Sequence, residues 1–333
     1  VEPADRVRAA VALEPADRPP AAWWGHTYPE EWSAPDLARV TARRRGECGW
    51  DLVKLQPRAC CFAQAFGSEY RPAVQFRDAP VLVRPAVRTV EDWGRVPAVD
   101  GAAPSLREQN DALAAVVEAV GPGVPVLQTV FSPLTVAGYL AGEDRERAAS
   151  ELRERPDLVG TALSRIAEGL ASFAAGAMAS GAAGIFFAVS GFASSDLMSV
   201  DDYRRLALPH DRRVLDASSD AWLNVLHLCG PRLSFELAGD LPSHVVSWSV
   251  HQPGNPSLDE GLALAGRAAM GGIDHEGTLV RGTPEEVRSE RDAAIPSAGG
   301  RGVIVAPGCS VPPEAPEANL RAITDAGAGP SPS

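Results

Sequence analysis

Eight short apolar, β-branched runs alternate along this chain with amphipathic segments, and that alternation predicts a closed parallel (β/α)8 TIM barrel, because each parallel crossover needs a helix or comparable linker. Two further observations agree. The chain has 333 residues, a length that one α/β barrel fills. The residues just past the runs are polar, and the carboxyl ends of the strands are where such a barrel gathers its chemistry. An open doubly wound sheet is the alternative. The expected organisation is one barrel over residues 1–326, with an N-terminal extension and a long excursion after the second strand, then a disordered tail at 327–333.

Each element follows from local pattern. Residues 4–13 read as a short amphipathic helix, which Pro19-Pro20 separates from the first strand at 21–26. Helix 34–46 follows, with Ser33 as N-cap and Pro35 and Asp36 in its first turn. Residues 51–56 alternate and stop at Pro57, so they form the second strand. Residues 57–104 are rich in Pro, Arg and aromatics and weak in periodicity, which predicts an excursion with a small hairpin around 79–85. Helix 106–120 ends at Gly121-Pro122-Gly123 before the third strand, 124–130. Helical segments at 134–140 and 157–180 lead to the fourth strand, 183–189, and a long helix at 201–218 leads to the fifth, 222–227. A short helix near Leu233, strand 245–250, helix 257–265, strand 268–273, helix 284–298, strand 302–306 and helix 316–326 complete the order.

Composition excludes several classes. The net charge is −12, which opposes binding to nucleic acid or an anionic membrane. No run approaches the ~18 apolar residues of a membrane helix, and the acidic start Val1-Glu2-Pro3-Ala4-Asp5 shows no signal-peptide core, so a cytoplasmic location is expected. The five cysteines (Cys48, Cys60, Cys61, Cys229, Cys309) are odd in number and sparse, which suits free thiols better than a disulfide framework. Adjacent Cys60 and Cys61 suit neither a relaxed disulfide nor one tetrahedral metal and read as structural. Arg greatly outnumbers Lys, a bias that carries no functional reading. Gly121-Pro122-Gly123 lacks the rest of a dinucleotide fingerprint, and no Gly-Lys-Ser/Thr phosphate loop is present.

The chemistry gathers on the predicted rim. His227 and Cys229 close the fifth strand two residues apart, so both point to one face and both can reach one ion. Cys309 follows the eighth strand and supplies a third soft ligand, leaving one position open in the manner of a catalytic zinc site. The competing reading makes Cys229 and Cys309 inert buried thiols and His227 a core histidine. His26, Gln56, Ser190 and His251 also follow strands, as does Asp274-His275, whereas His210 and His244 do not.

Several segments, in order, resemble the uroporphyrinogen decarboxylase superfamily, a (β/α)8 family: residues 131–142 with Tyr139, Ser194–Ser199 before the helix at Tyr203–Pro209, His227–Gly230, and Gly308–Pro312 before Asn319-Leu320. The decarboxylase branch carries an arginine-rich loop after its first strand, a catalytic aspartate near its second and a late Gly-His. Here those places hold Glu30 and Glu31 without arginine, Leu55-Gln56-Pro57, and Gly308-Cys309, and Tyr139 alone matches. The corrinoid-linked, methylcobamide:coenzyme M type methyltransferase branch carries His-x-Cys and a distant Cys, which His227, Cys229 and Cys309 match residue by residue.

That resemblance implies a zinc-dependent methyltransferase in which Zn2+ activates a small thiol as the nucleophile toward a methyl donor. Tyr139 and His251 are then expected to orient substrate or exchange protons with it, and His26, Gln56 and Ser190 to contact it. No Asp-x-His-x-x-Gly cobalamin segment exists here, so a corrinoid donor would have to arrive on a separate protein. The alternatives are a metal-independent decarboxylase or lyase acting on a small substrate, and a barrel that binds a corrinoid or tetrapyrrole without turnover. A homodimer stays open as a further partner.

Overall fold

The computed structural model describes residues 1–75, 77–297 and 301–325. The expected tail at 327–333 lies outside the described residues, as do Ala298 and Ala326, the expected last residues of two helices. The strands are β1 (Val53–Leu55), β2 (Glu69–Arg71), β3 (Val81–Arg84), β4 (Val126–Phe131), β5 (Gly184–Ser190), β6 (Val225–Cys229), β7 (Val245–Ser247), β8 (Ala268–Ile273) and β9 (Val303–Pro307). Seven of them form one parallel sheet in the order β1-β4-β5-β6-β7-β8-β9, while β2 and β3 pair antiparallel in the excursion. Helices between successive sheet strands cover its outer face, giving a (β/α)8-type barrel.

The eighth stave of the barrel is residues 20–25, where a full strand is expected at 21–26 and isolated parallel bridges are found, Ala21 to Val305 and Gly25 to Val311. The reason is local. Pro19 and Pro20 have no N–H to donate, and the Ala21 amide donates to the Asp51 carboxylate at 2.9 Å instead of to a neighbouring strand. Enough bonds remain to close the sheet: Val305 N–H donates to Pro20 O, Ala22 N–H to Val305 O, and Asp51 N–H to Ala21 O.

Sequence alternation sets the layers. On β5, Ile185, Phe187 and Val189 pack outward with the helices, whereas Phe186 and Ala188 belong to the inner cluster. On β6, Leu226 and Leu228 face out and Val225 faces in, so His227 and Cys229 share the inner face with Val225.

Three other elements differ from expectation. The helix expected at 201–218 is two, Val200–Leu206 and Leu208–Asp216, because Pro209 cannot continue the hydrogen-bond ladder and instead sits in the first turn of the second. Helix Arg145–Glu154, capped by Asp144, buries only Ala148, Ala149 and Leu152, a stripe too faint to register as periodic. The hairpin expected at 79–85 is formed by β3 at Val81–Arg84 together with β2 as its partner. Among the described residues, no helix is long and apolar enough to cross a membrane.

The broken helix pair is pinned from within. Tyr203 O–H donates to Asp211 Oδ2 at 2.5 Å, and the other Asp211 oxygen is buried without a partner. Burial pushes the Asp211 carboxyl up to about 8. The folded protein therefore keeps this proton up to about pH 8, whereas the unfolded chain releases it near the ordinary carboxylate pKa of about 4. Stability from this group is complete below about pH 4 and is lost as pH rises through that window, at up to about 1.4 kcal/mol per pH unit. Urea titrations should show this slope in the wild type and a flatter profile in Asp211→Asn.

Candidate metal centre

Strand geometry brings three soft donors to one point inside the barrel mouth. The Cys309 thiol lies 3.6 Å from the Cys229 sulfur and 3.5 Å from His227 Nε2. All three donor atoms lie within 4.8 Å of one another. At 3.6 Å the sulfurs are far outside the ~2.05 Å of a disulfide. A tetrahedral zinc with bonds of about 2.3 Å to sulfur and 2.0–2.1 Å to nitrogen has S–S and S–N edges of about 3.8 and 3.6 Å. Two edges of the donor triangle therefore match the ion, and the third stays within 4.8 Å, so the residues present fit it.

Neighbours hold this geometry. His227 Nδ1 lies 3.1 Å from Ser247 Oγ on the adjacent strand, which leaves Nε2 as the ligand nitrogen when Nδ1–H donates there. The ring is packed against Phe186 and Trp24, at 5.2 and 6.4 Å between centroids. Gly308 admits the close approach of Cys309, since a Cβ there would fall 2.5 Å from the Ser249 side chain. Ser249 Oγ is buried and unpartnered. Hydrogen bonds from Cys229 and His227 hold the Cys309 thiol well below the ordinary thiol range, and the same contact with Cys309 pushes Cys229 well above it. One sulfur of the pair is thus primed as a thiolate.

The other thiols behave differently. Burial pushes Cys60 up to about 11 and Cys61 well above the ordinary thiol range. Buried and held in the thiol form, they are poor nucleophiles.

The remaining rim residues sort into three groups. Ser190 is the register partner of Cys229, and its amide donates to Thr135 Oγ1 at 3.0 Å. Thr135 and Tyr139 line a cavity of about 350 Å³ together with His26, Tyr28 and Arg145. Tyr139 stacks on Phe131 at 5.7 Å, and burial raises its hydroxyl pKa while Arg145 lowers it. His26 and Gln56 contact each other: Gln56 Nε2 lies 2.8 Å from His26 Nε2, and His26 Nδ1 lies 2.9 Å from Glu31 Oε1. His251 is exposed, and its Nε2 lies 3.2 Å from Gly272 O.

A family model described as Uroporphyrinogen decarboxylase (URO-D) matches residues 2–328. The chain belongs to the URO-D family. Within reach of this family, the chain is 27% identical to the methylcobamide:CoM methyltransferase MtaA of Methanosarcina barkeri, over 91% of this chain and 87% of that one. It is 23% identical to the methylcobamide:CoM methyltransferase MtbA of Methanosarcina mazei, over 97% of this chain and 96% of its relative. A solved methyltransferase from Methanosarcina mazei superposes with a TM-score of 0.82 at 21% identity, covering 97% of both chains, and shows the same fold.

Sequence reasoning missed Lys54, Glu31 and Ser247. Lys54 is buried on β1 and hydrogen-bonds Gln56. Its signal was available, since a lysine inside an apolar strand that turns inward has to find a reason. In the sequence Glu31 is one of two adjacent acids in a loop, and its 1% side-chain exposure sets it apart from an ordinary surface acid.

Metal analysis tests the centre. Protein isolated without added metal should carry about one zinc per chain by mass spectrometry, and Cys229→Ala and Cys309→Ala should carry none. Ser247→Ala should keep the fold and weaken zinc affinity by about 10–100-fold, as loss of a ligand's supporting hydrogen bond does elsewhere.

Proposed function

We propose that this protein is a zinc-dependent methyltransferase that methylates a small thiol, with a methyl-corrinoid on a separate protein as donor. The observation that carries the reading is the donor triangle of His227, Cys229 and Cys309, whose edges of 3.5 and 3.6 Å suit one tetrahedral ion with a position to spare. Support comes from relatives named as methylcobamide:CoM methyltransferases that align over nearly their whole length. Zinc in this place would bind the substrate sulfur and favour its thiolate.

The chain's own residues supply the rest. His227, Cys229 and Cys309 hold the ion, and Ser247 fixes the imidazole. Tyr139 and Arg145, in the wall of the 350 Å³ cavity, face the substrate and orient it. Ser190 pairs in register with Cys229, and its amide donates to Thr135, a residue of that cavity wall. His26 lines the same cavity and is held by Gln56, and His251 stands at the exposed rim, where it meets the incoming donor.

The reading is tested with zinc-loaded protein, methylcobalamin and 2-mercaptoethanol, following the visible spectrum of the corrinoid and loss of free thiol without oxygen. Methyl transfer should depend on zinc and fall to the uncatalysed rate in Cys309→Ala. Tyr139→Phe should retain zinc and lose about tenfold in rate, the worth of about one hydrogen bond. Equal turnover by fully chelated protein would sink the proposal.

A further inference from the structure

Lys54 is the one lysine in this sequence, against thirty arginines. It is also buried, with 5% exposure, in the interior of the barrel. Its Nζ lies 5.1 Å from the centroid of Phe186 and 5.7 Å from that of Trp24, the two rings that also pack around His227. The amine and the metal ligand thus share one aromatic slot.

The polar surroundings of Lys54 are sparse and oriented. Gln56 Oε1 accepts from Nζ; the Gln56 amide nitrogen donates to His26 Nε2 at 2.8 Å; His26 Nδ1–H then donates to Glu31 at 2.9 Å. Among the described residues no carboxylate lies within ion-pairing distance of Nζ. The charged groups that face it are Cys309, beyond β9, and Glu31, from the turn Tyr28–Glu31. Both favour the ammonium, while burial opposes it more strongly and pushes Lys54 down to about 7. An arginine in this position would keep its proton at every working pH; a lysine need not.

We propose that Lys54 takes up the proton that a thiol loses on binding at the metal centre, so that thiolate formation leaves the net charge of the barrel interior unchanged. The inference rests on the thiol-binding reading above. The S–H bond breaks, and the sulfur keeps its electron pair as the thiolate. The Nζ lone pair receives the proton, a new N–H bond forms, and the amine becomes an ammonium. A neutral thiol and a neutral amine become a thiolate and an ammonium in the same slot. Without such a partner, the new negative charge would stand uncompensated in a region of low dielectric, where it costs most. The faces of Trp24 and Phe186 stabilise the ammonium once it forms.

Proton stoichiometry reads the proposal directly. Zinc-loaded protein is titrated calorimetrically with 2-mercaptoethanol in buffers of different ionisation enthalpy, which gives protons released per thiol bound. At about pH 8 the wild type should release close to none, whereas Lys54→Met and Lys54→Arg should each release about one. At about pH 6, where Lys54 already carries its proton, the wild type should also release about one. Zinc content and circular dichroism check the variants; should either fail to fold, the pH contrast within the wild type decides alone. Release of about one proton by wild type at about pH 8 would overturn the role of Lys54 and leave thiol binding at zinc intact. Failure of zinc-loaded wild type to bind the thiol at all would overturn both.

Discussion

Closure of the barrel by residues 20–25 is the constraint on which the rest of the interior depends. This segment runs between β9 and the start of β1, and its backbone bonds to Val305 and Asp51 join the two edges of the sheet. Asp51 does more than accept the Ala21 amide. It also holds Arg6 at 3.1 Å and Arg18 at 2.6 Å, so the N-terminal extension is clamped across the seam. Closure brings Trp24 inside, against Phe186 at 5.2 Å, and that ring pair forms the wall behind both His227 and Lys54. An open sheet would leave Cys309, next to β9, at an edge, and Lys54, on β1, at the other.

The donor triangle of His227, Cys229 and Cys309 inherits its precision from the sheet. His227 and Cys229 are two residues apart on a central strand, and the β5–β6 and β6–β7 registers fix their height in the barrel. Cys309 comes from the turn after β9, three strands away in the sheet order. It reaches the pair because the barrel curves and because Gly308 lets the turn pass close to Ser249. Donors fixed in this way are ordered by the folding of the sheet itself, so metal binding does not have to organise them. The low dielectric around them sharpens every charge, which is why a thiol hydrogen bond between Cys229 and Cys309 separates their acidities so widely.

Much of this was legible in the sequence, and the parts that were not have physical reasons. Period-two spacing placed His227 and Cys229 on one face, and the apolar run before Cys309 placed that thiol at a strand end; neither inference needs long-range contacts. The barrel followed from alternation alone. The first strand was misjudged because an apolar run gives no sign that its ladder donors are absent, as at Pro19 and Pro20, or diverted, as at Ala21. The break at Ala207 was written in Pro209, but a proline in a first turn and one in mid-helix look alike until the end of the preceding helix is known. Lys54 and Glu31 escaped because their environment is assembled from β1, β5, β9 and residues 24–31, distant stretches that only closure brings together.

The hydrogen-bond polarity of that assembly limits what each member can do. With Gln56 donating to His26 Nε2 and His26 Nδ1–H directed to Glu31, both imidazole nitrogens are engaged. Glu31 is held in turn, since the Thr27 amide also donates to it at 2.6 Å. His26 therefore meets any ligand through its ring, which stacks on Tyr28 at 4.7 Å and forms part of the wall shared by the 350 Å³ cavity and a second of about 310 Å³ beside Arg44 and Val311. Gln56 is likewise committed at both ends of its amide. In this chain of four side chains, Lys54 is the member whose valence is not exhausted: one N–H goes to Gln56, and a neutral amine there keeps a free lone pair. An array that engages its other members in this way leaves its proton-accepting capacity at Lys54, against the ring pair that also packs around His227.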